Sequence, residues 1–156
     1  MVPQTEHACY AVLRSRARCG LLLAASALAL PLWVACWLVP DPRGEGTHEQ
    51  LGLPACGFRT QFGVRCPTCG MTTAWAHMVR FQISSAMRAN TAGALLAALD
   101  AAGAAWLAVC VARGRWWPAP PGITALAWLV AATATVALGD WAVRLAGHVL
   151  CGSGSS

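Results

Sequence analysis

Three cysteines lie close together in the sequence: Cys56, Cys66 and Cys69 fall within fourteen residues of a chain that has eight cysteines in all. Two thiolates separated by two residues can bind one metal ion. Pro67 stiffens the turn between them, and Gly70 can adopt the left-handed conformation that closes it. Cys56 would be a third ligand, so the pattern predicts a metal site. Zinc is the metal that such a ligand set suggests, although the sequence does not identify a cofactor.

A tetrahedral zinc site needs a fourth ligand. The sequence offers His48, His77, Cys36 or a water molecule. His77 is a weak candidate, because in a helix that starts near Met71 it would lie roughly 10 Å along the axis from the turn at Cys66 to Cys69, which we call the knuckle.

The Cys66 and Cys69 pair has two other interpretations. At the start of a helix, one thiolate of a Cys-x-x-Cys pair is stabilised by the helix dipole and by free backbone amides, which favours thiol–disulfide exchange. No thioredoxin-like domain accompanies the pair, and no quinone site is evident. Alternatively, a disulfide or buried thiols only fix the loop to the rest of the chain. Metal, redox and structural roles therefore all stay open at this stage.

Asp100 is an acid in the middle of an apolar segment. A carboxylate at the centre of a membrane span costs about 2.5–3.5 kcal/mol on insertion scales, so it should face protein or water. The small residues around it would let another helix approach closely. Asp100 is either a proton- or ion-handling group or a polar contact between helices.

The composition indicates which elements position these residues. Hydrophobic residues make up 57% of the 156 residues and charged residues 11%, against roughly 45–50% and about 25% in soluble domains. Three segments are apolar enough to cross a bilayer: 20–39, 91–112 and 122–143. Twenty helical residues span roughly 30 Å, the thickness of the hydrocarbon core. We therefore predict an all-α integral membrane protein with three transmembrane helices and, after a Cys-rich loop, an amphipathic interfacial helix.

The remaining segments follow from these spans. We predict a cytoplasmic N-terminal segment at 1–19, a Cys-bearing loop at 40–70, an amphipathic helix at 71–90, a short turn at 113–121 and a tail at 144–156 that we expect to be disordered. Segment 71–90 is alternatively an extension of the second span. The first apolar run is expected to be a retained anchor, the alternative being a cleaved leader, because it exceeds the usual 7–15 residues of a signal core.

The charges predict an orientation. All 11 basic residues are Arg, and the net charge is +5. Three Arg residues precede the first span and two lie in the turn after the second, which places the N-terminus and that turn in the cytoplasm. Since the Arg residues border apolar runs singly, the partner we expect is the lipid bilayer and not nucleic acid.

Residues 51–112 resemble a bacterial family of small membrane proteins, a domain of unknown function. The resemblance rests on Cys56, then Cys66-Pro-Thr-Cys69-Gly-Met-Thr-Thr, then an amphipathic segment, Asn90 and an apolar helix. The family signature is a Cys followed about ten residues later by C-P-x-C-G-x-T-R, so Thr73 stands where that pattern has Arg. The resemblance implies a membrane location and a Cys-bearing loop, but no activity. The location that we expect is the bacterial inner membrane.

No phosphate-cradling Gly loop, H-E-x-x-H or G-x-S-x-G motif occurs in the sequence, which argues against nucleotide-dependent or hydrolase chemistry. The leading hypothesis is a non-catalytic membrane subunit or scaffold. Its Cys loop would be fixed by a metal or a disulfide, and its Asp100 face would receive a partner helix or a second copy of the chain. The alternative is a membrane thiol–disulfide redox protein, a thiol oxidoreductase that uses Cys66 and Cys69.

Overall fold

The computed structural model describes residues 15–117 and 122–152, with the side chains of 148–152 left out. Six α-helices and one 3-10 helix form this part of the chain, and it contains no β-sheet. In order, they are α1 (Ser15–Trp37), the 3-10 helix (Thr47–Leu51), α2 (Gly57–Phe62), α3 (Met71–Met78), α4 (Ile83–Ala89), α5 (Thr91–Arg113) and α6 (Ile123–Gly152).

Three of these helices, α1, α5 and α6, are long and apolar enough to cross a membrane. This confirms the predicted fold class. The α1 helix starts five residues before the predicted span and ends at Trp37, ahead of Pro40 and Pro42. The α5 helix begins directly after Asn90, whose side chain accepts a hydrogen bond from the Gly93 amide. It ends at Arg113, and Gly114, which follows, has a φ of 64°.

Segment 71–90 forms two short helices, where the sequence predicts one amphipathic helix. The α3 helix stops at Met78, and Phe81 has a left-handed φ of 59°. The chain therefore turns back, and α4 packs against α3. Extended backbone at Asn90 then separates α4 from α5. Segment 71–90 is thus neither one continuous helix nor an uninterrupted extension of the second span.

Small side chains let α3, α4 and the start of α5 approach closely. Their shared core consists of four buried alanines with Met78 packed against it: Ala74, Ala86, Ala89 and Ala94. In one helix over 71–90, Ile83 and Ala86 would lie on the same apolar face, but in the structure Ala86 is buried and Ile83 is half exposed. The turn at Phe81 explains the difference, because it breaks the single helical repeat on which the pattern depends.

The C-terminal segment also differs from the expectation. The sequence predicts a tail from residue 144, whereas α6 continues to Gly152. Arg144 explains part of this extension, because it pairs with Asp140 one turn earlier, at 2.8 Å. Residues 153–156 of the predicted tail, 118–121 of the predicted turn and 1–14 of the N-terminal segment lie outside the described residues.

Arginine side chains connect the helices at their ends. Arg80 donates to the carbonyl oxygens of Ala35 and Cys36, near the end of α1, at 3.3 and 3.1 Å. Arg144 of α6 donates to the Arg88 carbonyl at the end of α4, at 3.0 Å. The last turn of a helix leaves carbonyl groups without intrahelical partners, and a guanidinium group can satisfy several of them. These contacts join α1 and α6 to α3 and α4, the two short helices that follow the Cys loop.

Candidate metal centre

The structure brings the three predicted cysteines of the loop together. The Sγ atom of Cys66 lies 3.6 Å from that of Cys56 and 3.0 Å from that of Cys69. All three sulfur atoms lie within 4.8 Å of one another. Among the described residues, these three form the one group of His, Cys, Asp and Glu side chains with metal-binding spacing.

The knuckle is a tight turn built as its sequence indicates. The Cys69 amide donates to the Cys66 carbonyl, and the Met71 amide donates to the Thr68 carbonyl, both at 3.1 Å. Gly70 has a φ of 84° and is the N-cap of α3, directly before Met71. A Cβ atom at Gly70 would lie 2.6 Å from the Gly44 carbonyl oxygen and 2.7 Å from that of Ala89. Glycine is thus required here both by the backbone angle and by close contact with two other segments.

Asn90 holds the knuckle against the start of α5. Its Nδ2 group donates to the carbonyls of Pro67 and Cys69, at 3.1 and 3.0 Å. Its Oδ1 atom accepts from the Gly93 amide at 2.7 Å. The residue is only 4% exposed. One side chain therefore caps a membrane helix and fixes the backbone between two candidate ligands.

Glu45 connects the two branches of the loop that carry the thiols. Its carboxylate pairs with Arg59 of α2, the helix that follows Cys56, and with Arg65, which precedes Cys66, at 2.8 Å for the second pair. The Glu45 side chain is buried, so it is little screened by water. This double ion pair explains how Cys56, ten residues away in sequence, comes to lie beside Cys66.

The α6 helix also contacts this region. The indole Nε1 of Trp141 donates to the Arg65 carbonyl at 2.7 Å. No sequence pattern marks Glu45, Arg59, Arg65 or Trp141 as part of a site. One acid and two arginines in the same loop are a weak signal, since their pairing depends on the folded loop. No sequence signal connects Trp141 to a residue 76 positions earlier.

The environment makes the Cys66 and Cys69 thiols unequal. Burial acts to raise the pKa of Cys66, but hydrogen bonds with the Thr68 hydroxyl and with the Cys69 and Cys56 thiols outweigh it and lower the pKa to about 7. Burial, followed by the hydrogen bonds with Cys66 and Cys56, raises the pKa of Cys69 to about 12. The cluster therefore favours a thiolate at Cys66 that the neighbouring thiols stabilise.

The sulfur distances fit ligands of one ion with a small adjustment. Two thiolates on tetrahedral zinc, with Zn–S bonds of about 2.3 Å, lie about 3.8 Å apart. The Cys56–Cys66 distance of 3.6 Å is close to this value, and the Cys66–Cys69 distance of 3.0 Å would have to open by less than one ångström. The residues present thus fit a thiophilic metal, with three ligands supplied by the described chain.

The three candidates for a fourth protein ligand lie in different places. His77 Nδ1 is hydrogen-bonded to Gln82 Oε1 at 2.6 Å, in the turn between α3 and α4. Cys36 is exposed on α1 and does not belong to the thiol group. His48, on the 3-10 helix, lines the same cavity as the three thiols. This cavity has a volume of about 590 Å³, and its charged lining comprises Arg43, Glu45, Glu49 and Arg59.

The side chain at position 73 is part of a buried contact. Thr73 is fully buried, and its hydroxyl lies 2.8 Å from the Thr47 hydroxyl, within hydrogen-bonding distance. Thr47 also accepts from the Asp41 amide at 3.0 Å. A threonine at this position therefore fixes the 3-10 helix, and with it His48, to α3.

Asp100 lies in α5, outside the thiol group. Its Oδ2 atom is buried and has no hydrogen-bond partner among the described residues. Arg144 is not a partner of Asp100, because it pairs with Asp140 at 2.8 Å. A threonine does contact Asp140, since Thr91 donates to its Oδ1 atom at 3.2 Å. Asp140, and not Asp100, thus connects α6 to α5.

Comparison with known proteins finds a similarity over the central part of the chain. Residues 56–104 match the family described as "Protein of unknown function (DUF2752)". This segment runs from the first clustered cysteine through the knuckle, α3 and α4 into α5, and it confirms the resemblance noted in the sequence. Neither the curated proteins nor the solved structures include a match to this chain.

Proposed function

We propose that this chain is a small non-catalytic membrane subunit or scaffold whose Cys loop is organised by a zinc ion bound to Cys56, Cys66 and Cys69. The observation that carries the proposal is the approach of all three sulfur atoms to within 4.8 Å of one another. An odd number of clustered thiols favours a metal over a disulfide, because a single disulfide would leave the third thiol unpaired. The surrounding loop is small, and metal binding supplies folding free energy to such units.

The contacts around the thiols support a structural role. Asn90 and Gly70 tie the knuckle to the start of α5 and to α4, and Glu45 joins the two thiol-bearing branches through Arg59 and Arg65. A metal at the centre of these contacts would hold the loop, α3 and α5 in one arrangement. The loop would then present a rigid surface at one end of the membrane helices.

The test is the metal content and thiol reactivity of the full chain purified in detergent. We expect about one zinc per chain, with the three thiols unreactive toward an alkylating reagent until a chelator removes the metal. The Cys66→Ser variant should lose the zinc and unfold at a lower temperature. Cys19→Ser is the matched control, because Cys19 is exposed on α1 away from the cluster. A freshly purified chain that contains far less than one metal ion per molecule and has freely reactive thiols would contradict the proposal.

We also propose an orientation and a location. Arg residues before α1 and in the turn after α5 favour a cytoplasmic N-terminus in a bacterial inner membrane. The Cys loop would then face the outer side.

The partner of the Asp100 face is a further part of the proposal. A buried carboxylate oxygen without a partner in the described chain costs free energy unless another group satisfies it. We propose a helix of another subunit or of a second copy. Asp100→Leu should reduce the assembly size measured by light scattering in detergent, whereas Asp100→Asn, which keeps hydrogen-bonding atoms, should retain it. Equal assembly of both variants and the parent chain would remove this role.

One observation favours a second function, thiol–disulfide exchange. The Cys66 thiol has a pKa lowered to about 7, while that of Cys69 is raised to about 12, and their sulfur atoms are 3.0 Å apart. In such a reaction the Cys66 thiolate attacks a substrate disulfide and releases one substrate thiolate. Cys69 then loses its proton and attacks the mixed disulfide. Cys66 and Cys69 are thereby oxidised to a disulfide, and the substrate is reduced to two thiols.

Redox titration distinguishes this function from the metal site. A redox pair should cycle between dithiol and disulfide in glutathione buffers without metal, and Cys56→Ser should leave the cycling intact. A zinc site should instead resist oxidation until it is chelated, and it should weaken on loss of Cys56.

A further inference from the structure

We infer that His48 is the fourth ligand of the proposed metal, reached by turning its imidazole ring away from the Pro54 carbonyl toward the three thiols. This inference rests on the proposed function and makes it more specific. It defines the site as Cys3His, a closed coordination shell typical of structural zinc.

The first argument is the position of His48 relative to the other candidates. Among the cysteine and histidine candidates for the fourth ligand, only His48 lines the cavity on which Cys56, Cys66 and Cys69 open. His77 is engaged with Gln82 in the turn that ends α3. The 3-10 helix therefore presents its imidazole to the same space as the sulfur atoms.

The second argument is that the backbone carrying His48 is fixed while its side chain is weakly held. Thr47, directly before His48, is fully buried, and its hydroxyl contacts that of Thr73. Thr73 lies in the first turn of α3, the helix that follows the knuckle. The imidazole Nε2 is 3.2 Å from the Pro54 carbonyl oxygen, at the long end of hydrogen-bond distances. Pro54 itself is two residues before Cys56. The inference requires the imidazole to leave the Pro54 carbonyl and turn toward the cavity that it lines.

The third argument is electrostatic. Three thiolates and one Zn²⁺ ion carry a net charge of −1, and a neutral imidazole adds no further negative charge. Arg43 and Arg59 line the same cavity, but so do Glu49 and Glu45, with which they pair, so the charged lining adds no net positive charge. A fourth anionic ligand would add a negative charge that this lining does not offset. An imidazole ligand thus suits the site better than a fourth anion.

The consequence concerns the class of the protein. With His48 bound, no coordination position is left for substrate or water, so the metal holds the loop and does not perform Lewis-acid chemistry. The metal would also join the 3-10 helix, α2 and the start of α3 in one unit.

Cobalt substitution tests the inference on the full chain in detergent. We would compare the parent chain with His48→Ala, His48→Cys and His77→Ala by titrating Co²⁺ and recording the thiolate charge-transfer and visible bands. Loss of a group that only orients a metal ligand weakens metal affinity by roughly 10–100-fold. For His48→Ala, which removes a ligand, we expect the affinity for Co²⁺ to fall by at least this factor. His48→Cys should bind Co²⁺ tightly with increased thiolate absorbance, as a four-thiolate site. His77→Ala should match the parent chain.

Each result has a defined meaning. Unchanged affinity and an unchanged spectrum in His48→Ala would overturn the inference while leaving a three-thiolate site in place. If His48→Ala failed to fold, tight binding by His48→Cys with a four-thiolate spectrum would still establish position 48 as a ligand position. Failure of His48→Cys to add thiolate absorbance would contradict it. If the parent chain bound no metal while the Cys66→Ser variant remained folded, the proposed function itself would fail, together with this inference.

Discussion

Two residues that are not candidate ligands, Gly70 and Asn90, determine the shape of the thiol cluster. Gly70 closes the knuckle in a left-handed conformation between two carbonyl groups, and Asn90 donates to the carbonyls of Pro67 and Cys69. Both residues act on the backbone of the turn. Their substitution should therefore affect the thiol site without removing any thiol.

Gly70→Ala should prevent stable folding of the loop. Its Cβ atom would lie 2.6 and 2.7 Å from two backbone oxygen atoms, which cannot move without displacing α4 and the 40–46 segment. Gly63→Ala is the matched control, because Gly63 has a similar φ of 70° but no atom within 4 Å of the added Cβ. For this control, the free energy of unfolding should fall only by about 1–2 kcal/mol, the cost of an L-residue in the left-handed conformation. Thermal unfolding followed by circular dichroism measures the difference, and equal losses would show that the close contact is unimportant.

Asn90→Ala should destabilise the protein by about 1–3 kcal/mol, because buried carbonyl and amide groups lose their partners. It should also weaken metal binding. Asn90→Ser separates the two roles of this residue. Serine restores a helix N-cap worth about 1 kcal/mol, but its short side chain cannot bond both knuckle carbonyls. We expect Ser to recover part of the stability and little of the metal affinity, as measured by thermal unfolding and chelator competition. Full recovery of both would argue against the Asn90 contact with the knuckle.

At the scale of elements, the path of the chain between α3 and α5 is the feature that the sequence predicted least well. Local propensity is compatible with one helix through 71–90, and the apolar repeat suggests one. The reversal at Phe81 instead results from packing, since it lets Ala74, Ala86, Ala89 and Ala94 form a common core. The reversal also sends Arg80 toward the end of α1.

Arg80→Gln should loosen α1 from α3. Arg80 donates to three carbonyl oxygens, those of Ala35, Cys36 and Ala76, and hydrogen bonds from a charged group contribute about 1.5–3 kcal/mol. Arg88→Gln removes the same charge from the next helix, where the side chain bonds only to Ser85 among the contacts described. We expect a clear decrease in unfolding temperature for Arg80→Gln and a small one for Arg88→Gln, in the same detergent. Equal decreases would mean that charge, and not the contact with α1, is responsible.

At the scale of the whole molecule, the contacts of α6 determine which parts share one side of the membrane. Trp141 and Arg144 of α6 contact the backbone of Arg65 and of residues 87–89. The Cys loop and this end of α6 therefore lie on the same side, whichever way the protein is inserted. The Arg pattern alone is less decisive, because Arg80 and Arg88 lie close to the loop end of α5.

Fusion reporters test the orientation. An alkaline phosphatase fused after residue 156 should be active and a green fluorescent protein fused there should be dark, because we predict the Cys loop and the C-terminus on the outer side. The same reporters inserted in the turn 113–121 should behave oppositely. In intact cells, an impermeant maleimide should label the loop thiols after chelation. Labelled thiols together with an inactive C-terminal phosphatase would contradict the shared side that the α6 contacts require.

Part of this protein follows from its sequence alone. The three apolar helices are determined by length and composition, because burial of about twenty apolar residues in the bilayer depends little on what they pack against. The proximity of Cys66 and Cys69 is also local, since a proline and a glycine define the turn that joins them. The resemblance over the knuckle and the following helices has the same local origin.

Only the tertiary structure decided how these local features combine. It brought Cys56 to the knuckle through the buried Glu45 and its two arginines, and it fixed the knuckle to α5 through Asn90. It also placed His48 in the lining of the cavity on which the thiols open, and His77 at the end of α3, bonded to Gln82. These results depend on hydrogen bonds and ion pairs between segments that are distant in sequence, whereas hydrophobic length and turn chemistry act on neighbouring residues.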